Sequence, residues 1–155
     1  MIVISDTSPI TNLAAVDKLD LLRALFGIVV IPPADSRELE GHALLPPGVE
    51  VREVGDHSMV MRLLQDLDLG EAEALALAVE LKADRLLIDE RRGREVAARL
   101  GLRFIGVLGV LLEAKDRGHI AAVRPVIDQL SRSSRFWLSD RLRREVLKAA
   151  GEADE

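Results

Sequence analysis

Ile2-Val3-Ile4-Ser5-Asp6-Thr7-Ser8-Pro9 opens with a β-branched apolar run, an acid at its end, and a hydroxyl followed by proline. The run has the composition of a buried strand. Ser8-Pro9 reads as a helix start, a capping hydroxyl before a proline at the first helical position. Arg85-Leu86-Leu87-Ile88-Asp89-Glu90-Arg91-Arg92-Gly93-Arg94 repeats the arrangement: an apolar run, a terminal acid, then a helical stretch.

Outward from these two segments the same alternation continues. A short helix is predicted over 9–15. Asp17 is the expected cap of a second, whose apolar face is Leu19, Leu21, Leu22, Leu25 and Phe26 and which Gly27 ends. Ile28 to Ile31 reads as a strand, and Pro32-Pro33 turns the chain into a helix near 33–41. The stretch 42–56, with Pro46-Pro47-Gly48 and then Val49, Val51 and Val54, reads as a loop holding at most a short edge strand. Residues 58–67 read as helix, Gly70 as a break, and 71–82 as an alanine-rich buried helix. A strand follows over 85–88, a helix over 91–100 with Gly101 at its C-cap, a strand over 103–105, and a helix over 107–116 ended by Gly118. Two last helices are expected, Ala121 to Leu130 and Ser139 to Ala150, separated by Ser131 to Ser134, with the last five residues frayed. Between them, Phe136-Trp137-Leu138 is either an anchor for the tail or an exposed aromatic patch that binds a partner.

This order predicts an α/β fold: a central parallel sheet of four to five strands, helices on both faces, plus C-terminal helices. The expected division is 1–130 for the α/β domain and 131–155 for a helical extension packed on it. Ligands of such sheets bind beyond the carboxyl ends of the strands, near a topological switch point. Asp6 and Asp89 both stand at strand ends.

Bulk properties narrow the function. At 155 residues one compact domain is expected, and 48% hydrophobic residues argue for a real core. With no cysteine there are no disulfides, zinc-thiolate sites or cysteine nucleophiles. No apolar run approaches the roughly 18 residues of a membrane helix, and the start lacks a basic n-region and cleavage site, so a cytoplasmic location and no membrane partner are the expectation. A net charge of −5 argues against a general nucleic-acid coat but not against a nuclease with an acidic site. His42, His57 and His119 are far apart and lack zinc-ligand spacing. There is no phosphate-binding glycine loop and no nucleophile elbow.

Four acids remain as candidates: Asp6, Glu38, Glu71 and Asp89. Each has an ordinary explanation. Asp6 and Asp89 can be turn acids, Glu38 and Glu40 surface glutamates, and Glu71 a carboxylate favoured by a helix N-terminus. The case rests on the combination. At about 6 Å and an effective dielectric of about 20, each pair of carboxylates repels by roughly 3 kcal/mol. A hard divalent cation, Mg²⁺ or Mn²⁺, is the usual remedy. Arg85, Arg91, Arg92, Arg94, Arg99 and Arg103 crowd around Asp89, as a solvated helix face or as a rim that contacts phosphates.

In order, these residues resemble the acidic quartet of the PIN-domain ribonucleases. Val3-Ile4-Ser5-Asp6-Thr7-Ser8-Pro9-Ile10 is similar to the first PIN strand and its metal acid. Ile31-Pro32-Pro33-Ala34 with Glu38-Leu39 is similar to the second strand exit and glutamate helix. The run from Leu67 to Ala78 resembles the third-acid helix, and Leu86 to Ala97 the fourth acid and its helix. The likeness covers about residues 1–120 and is nearest to uncharacterised prokaryotic PIN proteins akin to VapC-type toxins. Two departures stand out. The third acid is glutamate rather than the commoner aspartate, with Glu73 as an alternate to Glu71, and Glu90 directly follows Asp89.

The resemblance implies a metal-dependent endoribonuclease acting on single-stranded RNA, the toxin of a toxin–antitoxin pair, homodimeric and held by a small antitoxin protein. Asp6 and Asp89 would be the principal Mg²⁺ or Mn²⁺ ligands, with Glu38 and Glu71 ligating or orienting water. Thr7 or Ser8 would steady a ligand carboxylate. Glu90 would add a ligand or pair with an arginine, and Arg91, Arg92 and Arg94 would grip phosphates. The competing reading is a PIN-like binding module with weak or no cleavage. A third has the four acids spread over the surface of a structural protein.

Overall fold

The computed structural model describes residues 1–41, 46–133 and 136–152. His42, the first part of the 42–56 segment, Ser134 and the end of the tail lie outside the described residues.

Five short parallel strands form the sheet: β1 Val3–Ser5, β2 Val29–Ile31, β3 Val49–Val51, β4 Arg85–Leu87 and β5 Phe104–Ile105, in the order β3-β2-β1-β4-β5. The edge strand foreseen within 42–56 is β3. The chain winds outward from β1 through β2 to β3, then crosses back to place β4 on the other side of β1. The switch point therefore lies between β1 and β4, and Ser5 pairs with Leu87 there.

Strand alternation sends side chains to two cores. Val3, Val29, Ile31 and Leu87 pack with α1 Thr7–Ala15, α2 Asp20–Phe26, α7 Val107–Asp116, α8 Arg124–Arg132 and α9 Asp140–Ala149. Ile4, Val30, Leu86 and Ile88 pack with α4 His57–Leu63, α5 Leu69–Glu80 and α6 Arg91–Arg99. Both faces are thus covered, as a parallel sheet requires. Each fully buried isoleucine or leucine contributes about 1.5–3 kcal/mol. The small side chains of Ala72, Ala74, Ala76 and Ala78 are completely buried in α5. The remaining helix, α3, is Pro33–Gly41.

Four expected helix starts move by two residues or more; in α5, Gly70 does not break the chain but lies within the first turn of a helix that begins at Leu69 after the Asp68 cap. Helix α1 begins at Thr7, with Asp6 rather than Ser8 at the N-cap, and Asp6 makes no side-chain cap bond because its carboxylate is engaged elsewhere. Asp17 does not cap α2, which starts at Asp20. It instead closes α1: Lys18 N–H donates to Leu13 O at 2.9 Å and Asp17 N–H to Ala14 O at 3.1 Å, the paired bonds that put Asp17 in the left-handed region at φ 56°. Helix α8 starts at Arg124, not Ala121, because its terminal amides meet a carboxylate from the tail. Glu152 accepts from Val123 N–H at 2.8 Å, Arg124 N–H at 3.1 Å and Lys115 Nζ at 2.9 Å.

Candidate active site

The sequence places acids at the exits of β1 and β4, and the fold carries both to the switch point. Asp6 N–H donates to Leu87 O at 3.0 Å, so Asp6 leaves the sheet directly beside β4. By alternation Asp6 follows Ile4 toward the α5 side, while Asp89 follows Leu87 toward the α7 side. The two strand-end acids straddle the crest of the sheet.

On the α5 side, Asp6 meets an acid absent from the sequence prediction. Asp35, in the first turn of α3, is fully buried and hydrogen-bonds Asp6. Thr7 holds it: its N–H and its hydroxyl both donate to Asp35 Oδ1, at 3.1 and 2.6 Å. The same hydroxyl stands 3.1 Å from Glu38 Oε2, which brings the exposed Glu38 to the cluster's rim. Among the described residues no N–H or hydroxyl donates to the buried Asp35 Oδ2, so its contact with Asp6 requires a proton on one of the two carboxyls. Burial, with the Asp6 carboxylate beside it, pushes the Asp35 carboxyl up to about 10. Burial also raises Asp6, against the bond from Asp35 and the Thr7 N–H. The two share a proton or need a cation between them.

Helix α5 supplies the next acids. Asp68 caps it, accepting from Glu71 N–H at 2.8 Å. Partial burial, then the charges of Asp68, Asp6 and Glu90, raise Glu71 to about 7. Glu73 faces away, accepting from Ala34 N–H at 2.9 Å and so closing the start of α3. Of the two glutamates left open by the sequence, Glu71 is the one beside Asp6.

Across the crest, Asp89 Oδ1 accepts from Val107 N–H at 3.0 Å and lies 3.5 Å from Arg94 Nη2. Burial raises its pKa despite these partners, while Oδ2 is buried without one among the described residues. Glu90 is exposed and acts electrostatically on both Asp89 and Glu71, so it joins the two halves of the site. The three candidate phosphate arginines differ. Arg94 is held by Asp89 and by Ile88 O at 3.0 Å, and Arg92 pairs with Asp66 at 2.8 Å. Arg91 is 94% exposed and lies 3.3 Å from Glu95. Ser8 lies in a groove beside Asp89.

Two glycines leave the room these acids occupy. A Cβ on Gly70 would come within 2.8 Å of Asp35 Oδ1 and 3.6 Å of Asp6 Oδ1. One on Gly106 would strike Asp89 Oδ1 and Arg94 Nη2.

The donors are all carboxylate and hydroxyl oxygens, the chemistry of a hard divalent cation, and among the described residues two buried carboxylate oxygens of the site lack partners. Among the described residues no three acidic or histidine side chains stand together as a ready coordination shell. The residues fit such a cation by chemistry, with Glu38 and Glu71 having the long arms to close on it. No helix of the described residues is long and apolar enough to cross a membrane.

Asp35 and Asp68 each carry a local sequence signal. Asp35 and Glu38 are three apart, on one helical face. Asp68 and Glu71 have the spacing of a capping box.

Among curated proteins no sequence matches the chain. A family model described as a PIN domain matches residues 2–152, running through α8 and α9 to the tail carboxylate. PIN domains are in general nucleases, and the parallel sheet with acids at its switch point accords with that. The chain belongs to the PIN-domain family.

Proposed function

We propose that the protein is a metal-dependent endoribonuclease that hydrolyses phosphodiester bonds of single-stranded RNA. The observation that carries this reading is the buried Asp6–Asp35 pair at the switch point, with Glu71 raised to about 7 beside it. Such a concentration of desolvated acid is costly unless it serves a charge that arrives with the ligand.

Asp6 and Asp89 would hold Mg²⁺ or Mn²⁺ from the two sides of the crest, with Glu38 and Glu71 ligating directly or through water. The bound cation supplies a water of lowered pKa and stabilises charge on the phosphoryl oxygens. Glu71 sits where it can take the proton of an attacking water, with a pKa suited to the task near neutral pH. Thr7 fixes Asp35 and, through it, the direction of the Asp6 carboxylate. Arg91 is the most accessible of the three arginines for a phosphate, while Arg94 orients Asp89. The further reading, a toxin acting in the cytoplasm as a homodimer and silenced by a small antitoxin protein, is supported by the resemblance to VapC-type proteins.

A second reading, a PIN fold that binds without cleaving, is favoured by Asp89 already accepting from Val107 N–H and lying beside Arg94. Cleavage of a mixed single-stranded RNA in Mn²⁺ or Mg²⁺ against EDTA, beside Asp6→Asn and Asp89→Asn, decides between them. Metal-dependent cutting abolished in both variants is the expected result. A folded protein that cuts under no condition, yet melts higher in Mn²⁺, is the binding module.

A further inference from the structure

A groove of about 560 Å³ runs from Asp89 to Trp137, between α1, α7 and the segment leading into α9. The Phe136-Trp137-Leu138 run divides at this groove. Phe136 and Leu138 pack against the core, while Trp137 is 85% exposed. Phe104 and Leu142, also exposed, line the same groove. The Arg94 guanidinium lies 5.6 Å over the Phe104 ring. Asn12, buried on α1, also faces the groove, and its amide has no hydrogen bond among the described residues. The amide is open to water from the groove, so a ligand with donors and acceptors can take that water's place.

The residue types select the occupant. An aromatic side chain left in water, an open amide and an arginine, gathered in one groove with a carboxylate of the acid site, match what single-stranded nucleic acid requires. Bases stack on aromatic rings, amides read their edges, and guanidinium groups meet phosphates or stack. The groove is continuous with the acid site through Asp89 itself, so a strand with its phosphate at the acids has its neighbouring base here.

We propose that this groove is a nucleobase subsite: a base flanking the bound phosphate stacks on Trp137, and the Asn12 amide reads its edge. The proposal rests on the nuclease reading for the position of the phosphate. It adds that the C-terminal segment, outside the acidic quartet, sets which strands bind.

The chain has one tryptophan, so its fluorescence reports this site alone. The full chain is titrated, in EDTA and again in Ca²⁺, with a single-stranded adenine-rich decamer and with an abasic decamer of the same backbone. Metal-dependent cleavage of the first oligomer is followed in parallel. The expected result is saturable quenching by the base-containing strand and little by the abasic one. Binding followed by fluorescence anisotropy weakens about 10-fold in Trp137→Ala and is largely restored in Trp137→Phe. Asn12→Ala changes the preference among adenine, uracil and cytosine strands. Equal quenching by the abasic strand overturns the proposal, since the groove then senses only charge. So does emission that changes with protein concentration alone, which makes the groove an interface between copies. Cleavage that proceeds without quenching and is unaltered by Trp137→Ala overturns the subsite and leaves the nuclease standing. Base-dependent quenching without cleavage supports the subsite and removes the nuclease.

Discussion

The Thr7 hydroxyl donates to Asp35 Oδ1 at 2.6 Å, tying the first turn of α1 to the first turn of α3. This bond joins the exits of β1 and β2 and holds a buried acid against Asp6. Burying that acid beside Asp6 costs stability in the absence of a bound cation, because the folded protein must retain a proton that the unfolded chain releases; the Thr7 bond offsets part of this by favouring the charged form.

Asp35→Asn tests that cost. The folded carboxyl is raised above its unfolded value near 3.8, so it favours folding at pH below about 4, and this contribution is lost as pH climbs toward about 10. Asparagine keeps the acceptor for Thr7 and removes the titration. In EDTA at pH 7.5 the variant is expected to gain on the order of 1–3 kcal/mol, a rise of several degrees in Tm, while stabilisation by Mn²⁺ shrinks. Calorimetry with and without Mn²⁺ reads both; a lower Tm in EDTA would contradict the account.

Glu71 and Glu73 differ by two positions and should differ in kind. Glu71→Gln is expected to lower metal-dependent cleavage roughly 100-fold or more with Tm in EDTA unchanged or raised. Glu73→Gln weakens the acceptor for Ala34 N–H and should cost up to about 1 kcal/mol of stability with cleavage within about 3-fold of the parent. The two swapped outcomes would make Glu73 the functional acid.

Gly106→Ala introduces a Cβ into the space of Asp89 Oδ1 and Arg94 Nη2. The side chains must turn away, and cleavage is expected to fall roughly 10- to 100-fold with the metal requirement retained, since small displacements of a catalytic group are costly. Single-turnover rates measured at saturating RNA separate this from weakened binding. Unchanged rates would show that Asp89 does not act from this position.

Glu152 contributes to the acid limb of stability. Partial burial acts upward on its carboxyl, but the Val123 N–H, the Lys115 ammonium and the Arg124 N–H bring it down to about 2. Its contribution is complete above the unfolded value of 4.5 and is lost as pH falls from there through about 2. Glu152→Gln should lower Tm at pH 6 and flatten the Tm slope between pH 4.5 and 2. A parallel profile would mean the tail carboxylate carries no such load.

The sheet and most helices were legible because their signals are local. β-branched runs marked β1 and β2, an apolar leucine-rich run marked β4, glycines marked the ends of α2, α6 and α7, and alternation then dictated a parallel order. Asp35 was illegible for the opposite reason. In Pro33-Ala34-Asp35-Ser36 it reads as an ordinary first-turn acid. Its burial is set by Gly70, 35 positions away, whose missing side chain makes the space. The sequence favours Glu71 over Glu73 but keeps Glu73 as an alternate for a similar reason, since the position of Ala34 in space is what sets Glu73 apart. Asp17 misled because aspartate serves both as a helix cap and, less often, as a left-handed closing residue. Which role it takes depends on where α1 stops.

Strand β1 is made early yet completed late. The Ile2 N–H just before it bonds to the Asp84 carboxylate, 82 residues on, and the β4 edge of β1 stays open until that segment emerges. At ordinary synthesis rates this is roughly 4–16 s. During that interval the nascent chain presents an unpaired apolar edge, the kind of surface on which strands from other chains add. A fragment ending before Arg85 would hold that edge open permanently and should aggregate, whereas the full chain closes it with its own β4.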